Sequence, residues 1–153
     1  MPTEKSIRSL GEWWPRFIYT EIILAWEVGL KDADFADLRS AHIREMESSM
    51  NFERRAFETA EACDTFLKEH TNELPDAYLY FSSEKKAQTG MIFQHFRNAF
   101  AHAHFEFDGD WFELFTVTNK NKLKMKARLR SHYFAELVHF LRKGARAKSG
   151  ELL

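Results

Sequence analysis

The sequence FQHFRNAFAHAHFEF, residues 93–107, decides how the rest of this chain is interpreted. On a helix with about 100° per residue, the apolar residues in and just before it share one side: Ile92, Phe93, Phe96, Ala99, Phe100 and Ala103. Arg97 and His102 lie about 140° apart on the other side, and the residues between them are polar or very small: Gly90, Gln94, Asn98 and Ala101. The pattern predicts a helix from a cap at Ser82 or Ser83 to about His104, with one buried side and a groove on the other.

The apolar residues that follow this helix alternate with polar ones, which is typical of strands. Phe105 and Phe107 begin the alternation, and the sequence DGD at 108–110 predicts a turn. Strands are then predicted over residues 111–118 and 123–128, joined by a short second turn. The second of these strands has apolar residues on one face and lysine and arginine on the other.

Helical spacing of apolar residues recurs in three further parts of the chain. Residues 12–28 predict a first helix, and residues 34–70 predict either one bent helix or two in tandem. Residues 77–81 fit a helical turn or a short strand equally well, and residues 131–144 predict the last helix, capped by its serine. The expected fold is mainly α, a helical bundle with a small antiparallel β-hairpin or meander inserted before the last helix.

Length and composition indicate one folded domain. With 153 residues, 44% hydrophobic and 29% charged, the chain can bury a core and is too apolar to be disordered. We expect a single domain over residues 1–153, with its core at about 12–146 and mobile ends. The longest apolar run, residues 22–26, is too short to cross a bilayer, and the first residues lack the apolar segment of a signal peptide. One cysteine excludes an internal disulfide, so a cytoplasmic protein without membrane attachment is expected.

The charge of the chain is unevenly distributed. The formal net charge is −1, yet residues 119–148 contain ten Lys or Arg against one acid, a net of +9 that leaves −10 for the remainder. This asymmetry favours a protein that presents one basic face to phosphates. Lysines that protect the edge of a sheet would explain Lys120 to Lys126 equally well.

Residues of metal-ligand type cluster once in the sequence, at His95, His102, His104 and Glu106. On a helix His95 and His102 align, whereas His104 points to nearly the opposite side and Glu106 lies beyond the turn. Zinc requires three or four converging ligands, so no metal site is expected. The sequence also has no glycine-rich phosphate loop, and no cofactor is expected.

The motif RNAFAH at 97–102 resembles the signature of HEPN ribonuclease domains, in which an arginine and a histidine lie a few residues apart on a late helix and a polar residue often follows the arginine. Earlier helices precede the motif, and an aromatic hairpin and a final helix follow it. The resemblance therefore covers most of the chain, about residues 13–146. It implies a HEPN-like helical bundle.

The resemblance also implies a metal-independent endoribonuclease that works as a homodimer. RNA has its own nucleophile, the 2′-OH, so His102 would act as the base and Arg97 would stabilise charge on the phosphate. Asn98 would orient the imidazole or a phosphate oxygen. Two protomers would join their motifs into one composite site on a two-fold axis, where the small Gly90 and Ala101 permit close approach. Supporting residues and contacts to the RNA backbone are predicted at His95, Gln94, His104, Lys120, Lys122, Lys124 and Lys126.

Two other interpretations stay open at this point. The chain could be a non-catalytic HEPN-like protein that binds RNA or a partner such as a nucleotidyltransferase antitoxin. It could also be a purely structural helical dimer, which its fifteen phenylalanines favour. As a ribonuclease it would serve as a toxin of a toxin–antitoxin pair or in phage defence.

Overall fold

A computed structural model of the chain describes residues 2–35, 48–83 and 88–145. Five strands lie within these ranges: β1 (Glu53–Phe57), β2 (Tyr78–Ser82), β3 (Phe105–Phe107), β4 (Trp111–Val117) and β5 (Leu123–Arg130). They form one mixed sheet in the order β1-β2-β5-β4-β3, in which only the β1–β2 pair is parallel. The expectation of a mainly α bundle with a small hairpin is therefore wrong, and the fold is α+β.

Helical segments surround this sheet: α1 (Glu4–Ser9), α2 (Trp13–Phe17), a π-helical segment (Ile18–Leu24), α3 (Ala25–Val28), a 3-10 turn (Leu30–Asp32), α4 (Ala60–Glu69), α5 (Gln88–Ala101) and α6 (Ser131–Lys143). The helix predicted over 12–28 is confirmed as the unbroken run from α2 to α3. The last predicted helix is confirmed as α6, although its N-cap is Arg130 rather than Ser131. Ser82, a predicted cap of α5, is instead the last residue of β2, and residues 84–87 lie outside the described ranges.

The two faces of the sheet are covered differently. One face packs against α5 and α6, on which the π-helical segment packs in turn, and the strands contribute alternate residues to the main core: Leu79, Phe81, Phe112, Leu114, Met125, Ala127 and Leu129. On the other face α4 packs over β1, β2 and β5, through a smaller cluster that contains Cys63, Leu67, Tyr78 and Tyr80. The side chains that β4 and β5 present on this second face beside α4 are not fully buried, and we call them the open face: Trp111, Glu113, Phe115, Lys126, Arg128 and Arg130.

The prediction of helix over residues 34–70 is wrong in its middle part. Residues 53–57 form β1, which pairs in parallel with β2, and α4 begins only after Thr59, whose hydroxyl accepts the N–H of Ala62 at 3.1 Å. The part at 36–47 lies outside the described ranges. Local spacing missed β1 because its backbone hydrogen-bond partners are in β2, on the far side of α4 in the sequence.

The prediction of α5 is confirmed for five of the six residues on its buried side, all except Ala103, since each is at most 8% exposed: Ile92, Phe93, Phe96, Ala99 and Phe100. The helix ends at Ala101, earlier than predicted, because Ala103 adopts a left-handed conformation with φ +57°. The N–H of Ala103 donates to the C=O of Phe100 at 3.1 Å, and the N–H of His104 donates to the C=O of Ala99 at 2.7 Å. These two bonds form a Schellman motif, which turns the chain from α5 into β3.

Helix α1 lies against β3, the edge strand of the sheet. The Ser6 hydroxyl accepts the N–H of Phe107 at 2.7 Å and contacts the Glu106 carboxylate, to which the Thr3 hydroxyl donates at 3.0 Å. These hydrogen bonds, from Ser6 first, lower the pKa of Glu106. The residues before 12, expected at a mobile end, therefore cover a strand edge that would otherwise expose backbone groups.

Ala103→Gly should stabilise the protein by about 0.5–1 kcal/mol, because glycine adopts positive φ without the steric penalty of a Cβ. Ala101→Gly is the matched control, two residues away in the helix. It should destabilise by about 0.5–1 kcal/mol, because glycine in a helix costs backbone entropy. Urea unfolding of both variants measures whether the free energy of unfolding rises for Ala103→Gly and falls for Ala101→Gly. A lower unfolding free energy for Ala103→Gly would contradict the assigned cap.

Candidate active site

Arg97 is held between two side-chain acceptors at the surface of α5. Its Nη1 donates to Asn98 Oδ1 at 2.9 Å, and its Nη2 donates to Glu27 Oε1 at 2.9 Å. The side chains of Arg97 and Glu27 are 27% and 48% exposed, so the ion pair is open to solvent. The Nε of Arg97 is buried and has no acceptor among the described residues. The guanidinium is therefore fixed in place while some of its donors remain unused.

The packing of α3 on α5 brings Glu27 to this position. Trp26 is 7% exposed and stacks on Phe93, with ring centroids 6.0 Å apart and planes at 16°. Glu27 directly follows Trp26, and Arg97 lies one helical turn after Phe93, so the two charged side chains meet beside this apolar contact. The second oxygen of Glu27 lies 3.8 Å from Lys31 Nζ. Sequence patterns could not predict the ion pair, because 70 residues separate Glu27 from Arg97.

His102 lies in the turn that ends α5, and it is exposed. Its N–H donates to the C=O of Asn98 at 3.0 Å, so Asn98 contacts Arg97 through its side chain and His102 through its backbone. The three predicted catalytic residues therefore lie within residues 97–102, at the C-terminal end of α5 and in the turn that follows it. Ala101 is exposed beside them, whereas Gln94, one turn earlier, is half-buried.

His104 connects this site with the open face of the sheet. Its ring centroid lies 6.0 Å from that of His102, and its ring stacks on Phe115 at 4.4 Å and 12°. The C=O of His104 also accepts the N–H of Phe115 at 3.2 Å, which fixes the start of β3 beside β4. Burial lowers the pKa of the His104 imidazole below its ordinary 6.5, and the neighbouring His102 lowers it further. Phe115 is a contact that the helical pattern around the motif could not indicate.

Two predicted positions, the supporting residue His95 and the groove residue Gly90, are used inside the fold. His95 is 2% exposed, with Nε2 2.9 Å from the C=O of Ser82 and Nδ1 3.1 Å from the hydroxyl of Thr116. Both ring nitrogens of His95 are therefore engaged by groups inside the fold. Gly90 lies beneath Phe35, since a Cβ built on it would come within 3.0 Å of the Phe35 ring. Gly90 therefore makes room for a side chain of its own chain.

The four lysines predicted to contact RNA differ in their surroundings. Lys120 and Lys122 are exposed in the turn between β4 and β5, and Lys122 Nζ lies 3.9 Å from the Asp64 carboxylate of α4. Lys126 lies on the open face, and Lys124 lies where the pairing between β4 and β5 shifts register. Among the described residues Lys120, Lys124 and Lys126 make no ion pair, so their charges remain available to an anion.

The described residues outside this site contain no grouped metal ligands, no exposed cysteine and no membrane-spanning helix. Within residues 2–35, 48–83 and 88–145, no three His, Cys, Asp or Glu side chains are grouped so that they could hold a metal ion. Cys63 is fully buried in α4, and burial raises its pKa to about 12. None of the helices in the same ranges has the length and apolar character needed to span a membrane.

Comparison with known proteins decides the family. The family model described as HEPN pEK499 p136 matches residues 16–149 of the chain. This protein belongs to that HEPN family. The matched part contains the whole of α5 and the candidate site, which confirms the resemblance seen in the motif. HEPN membership supports a ribonuclease or nucleotide-binding role. No curated protein and no solved structure matches the chain.

The imidazole of His104 should titrate below pH 6.5 by NMR, because its protonated form is disfavoured by burial and by His102. His102→Ala should raise this pKa only in part, since burial is the larger cause. The unfolded chain binds a proton at His104 more tightly than the folded chain does. The contribution of His104 to the free energy of unfolding is therefore full above about pH 6.5 and falls as the pH drops below that value.

His132→Ala is the control for this titration, since it removes an exposed histidine from α6. It should leave the pKa of His104 unchanged. A His104 midpoint above 6.5, or one that His102→Ala does not move, would contradict the arrangement of the two rings.

Proposed function

We propose that this HEPN protein is a metal-independent endoribonuclease whose site consists of Arg97, Asn98 and His102. One observation carries the proposal: the guanidinium of Arg97 is fixed by Asn98 and Glu27 at the end of α5, five residues before the exposed His102. RNA cleavage needs a fixed cation and an accessible base, and these two side chains supply them from the same end of one helix. The family membership of the chain supports the same class of activity.

The reaction uses the RNA as its own source of nucleophile. His102 removes the proton of a 2′-OH, the 2′-oxygen attacks the adjacent phosphorus, and the bond from phosphorus to the 5′-oxygen breaks. The leaving oxygen takes up a proton, which gives a 2′,3′-cyclic phosphate and a 5′-OH. Arg97 stabilises the negative charge that accumulates on the phosphate oxygens, for which its planar fork of donors is suited. Neither a protein nucleophile nor a metal ion is required by this route.

Glu27 is a positioning residue in this mechanism. It holds the guanidinium of Arg97 at the surface before the substrate binds, while the buried Nε and other donors stay unused. The pair is open to solvent, and such ion pairs contribute only about 0–1 kcal/mol. A phosphate can therefore displace Glu27 from Arg97 or bind beside it, so the arginine is preorganised without being blocked.

We propose that the active form is a homodimer with a composite site. Two apolar side chains on the helical run beside the Glu27–Arg97 pair are exposed, Leu24 by 40% and Val28 by 78%. They are four residues apart and therefore lie on the same side of the helix. Apolar surface of this kind is typical of a contact with another chain. A two-fold axis at this surface would place two Arg97–His102 sites on one cleft.

The biological role proposed for this activity is that of a toxin, held in check by an antitoxin or an associated nucleotidyltransferase, or of an RNase used in phage defence. A cytoplasmic metal-free RNase needs such control, because its substrate is always present. The open ion pair at Arg97 offers one point of control, since a partner that strengthens the contact with Glu27 would lower the affinity for phosphate.

A second candidate is a HEPN protein that binds RNA or a protein partner without cleaving RNA. The contact between Glu27 and Arg97 favours it, because a carboxylate already neutralises the cation that catalysis requires. The two candidates differ in one measurable respect. A binding protein retains intact RNA in its complexes, whereas an enzyme releases products with a 5′-OH.

His102→Ala should reduce cleavage of labelled RNA by about 10²–10⁴-fold, the usual contribution of general acid–base catalysis. The free energy of unfolding of this variant should stay within ~0.5 kcal/mol of that of the unaltered protein, because His102 is exposed. Arg97→Lys should also be strongly impaired, since it keeps the charge and loses the planar fork. The assay contains EDTA, so that metal-dependent contaminants do not contribute.

Matched exposed positions provide the controls, His132→Ala for the histidine and Arg16→Lys for the arginine. Both should cleave normally. Phe96→Ala should lose activity through unfolding, because deletion of a buried aromatic costs about 3–5 kcal/mol. Undiminished cleavage by His102→Ala, or cleavage that stops in EDTA and returns with a divalent ion, would contradict the proposal.

Val28→Lys should convert the dimer to a monomer and lower the cleavage rate, because it places a charge in the apolar contact. Ile7→Lys, which alters another exposed apolar residue on α1, is the control and should remain dimeric. Light scattering at tens of micromolar protein measures both. An unaltered protein that is monomeric at this concentration would contradict the composite site.

A further inference from the structure

The surface that continues from His102 onto the sheet is aromatic. His104 stacks on Phe115 with centroids 4.4 Å apart and planes at 12°, and both rings are half-buried. We call these two side chains the His104–Phe115 platform. Burial lowers the pKa of His104, so near neutral pH its ring is an uncharged aromatic that can take part in stacking. The centroid of His104 is 6.0 Å from that of His102, which is within the reach of one nucleotide.

The charges around the platform favour a polyanion. Lys126 is the β5 residue directly opposite Phe115, so its side chain leaves the sheet beside the platform. On the same face Glu113 is the nearest acid along β4, and Arg128 lies 3.6 Å from its carboxylate. That pair leaves the positive charge of Lys126 uncompensated among the described residues. Lys120 and Lys124 add further positive charge toward the β4–β5 turn.

The other large aromatic of the open face is less available for stacking. The guanidinium of Arg128 lies 3.9 Å from the ring centroid of Trp111, and that of Arg130 lies 4.6 Å from it. These contacts occupy the faces of the indole with the protein's own cations. Phe115 is instead stacked only with His104 among the described aromatic residues. The platform beside the active site is therefore the place on this face where an incoming ring can be added to an existing stack.

We infer that the His104–Phe115 platform binds a base of single-stranded RNA, with Lys126 on its backbone, and so places the neighbouring phosphate at Arg97 and His102. The inference deepens the proposed function and rests on it for the cleavage step. Bases of a single strand are free to stack on aromatic side chains, whereas those of an RNA duplex are stacked on one another and paired. Stacking tolerates every base, so the platform selects single-stranded structure rather than a sequence.

The test measures binding separately from cleavage. A fluorescein-labelled RNA twelve-mer with 2′-O-methyl groups at every position has no free 2′-OH, so anisotropy reports affinity alone. Phe115→Leu should weaken this binding roughly 5- to 150-fold, the effect of losing one base–aromatic stack. The same variant should bind an abasic twelve-mer as the unaltered protein does, because that probe has no base to stack. Phe115→Tyr should restore tight binding to the probe that carries bases.

A second histidine–phenylalanine stack in the chain supplies the matched control. Phe66 and His70 on α4 stack at 4.2 Å and 22°, and the guanidinium of Arg55 lies 4.4 Å from the Phe66 centroid. This stack combines the same residue types with a cation, but it belongs to the cluster between α4 and the sheet. Phe66→Leu should leave RNA affinity unchanged. Lys126→Ala should lower the slope of log K against log salt by about 0.7, the value for one phosphate contact on a single strand.

The outcomes separate the platform from the ribonuclease. Phe115→Leu binding within twofold of the unaltered protein, or an equal loss on the abasic probe, would overturn the platform. Binding of duplex RNA that is tighter than binding of the single-stranded probe and independent of Phe115 would also overturn the platform. It would show that the basic face binds duplex RNA. If binding depends on Phe115 but unmodified RNA is never cut, the platform stands and the proposed catalysis fails. If RNA is cut but Phe115→Leu binds and cleaves normally, the catalysis stands and the platform fails.

Discussion

The cap that ends α5 is the constraint on which the sheet and the site both depend. The bond from the His104 N–H to the Ala99 C=O, at 2.7 Å, closes a turn in which Ala103 is left-handed. The chain therefore leaves the helix axis immediately after the motif. His102 stays outside, His104 reaches the open face of β4, and Phe105 enters the core as the first residue of β3. Without this turn, a longer α5 would carry the histidines away from the sheet.

The electrostatics of the site follow from a second packing constraint. The stack of Trp26 on Phe93 sets the distance between α3 and α5, and the charged side chains meet at its edge. Arg97 consequently has a carboxylate partner in the absence of RNA. In the proposed mechanism, the phosphate of the substrate must displace this partner or approach Arg97 from another side. Family membership alone does not indicate this arrangement. Under the proposed mechanism, Glu27 therefore bears on catalysis as directly as the residues of the motif.

The sequence predicted those parts of the protein in which local spacing agrees with tertiary packing. The buried side of α5, the strands of the meander and α6 all belong to this class. The five-stranded sheet was not predicted, because β2 is buried on both faces and β1 pairs with it across α4. The helical projection aligned His95 with His102 as a supporting residue, whereas β4 covers that side of α5 and buries His95. Glu27, the partner of Arg97, could not be predicted from the sequence either, because the contact depends on how α3 packs on α5.

The central claim is that the chain cleaves RNA through its own 2′-OH at the Arg97–His102 site. The most direct measurement uses a synthetic RNA with one known cleavage position and a copy with a single 2′-deoxy nucleotide immediately 5′ of the scissile phosphate. The account predicts that the unmodified RNA is cut in EDTA to a 2′,3′-cyclic phosphate and a 5′-OH, while the deoxy copy is intact at that position. Cleavage of the deoxy copy at an unchanged rate would show that the nucleophile is not the 2′-OH, and would contradict the account.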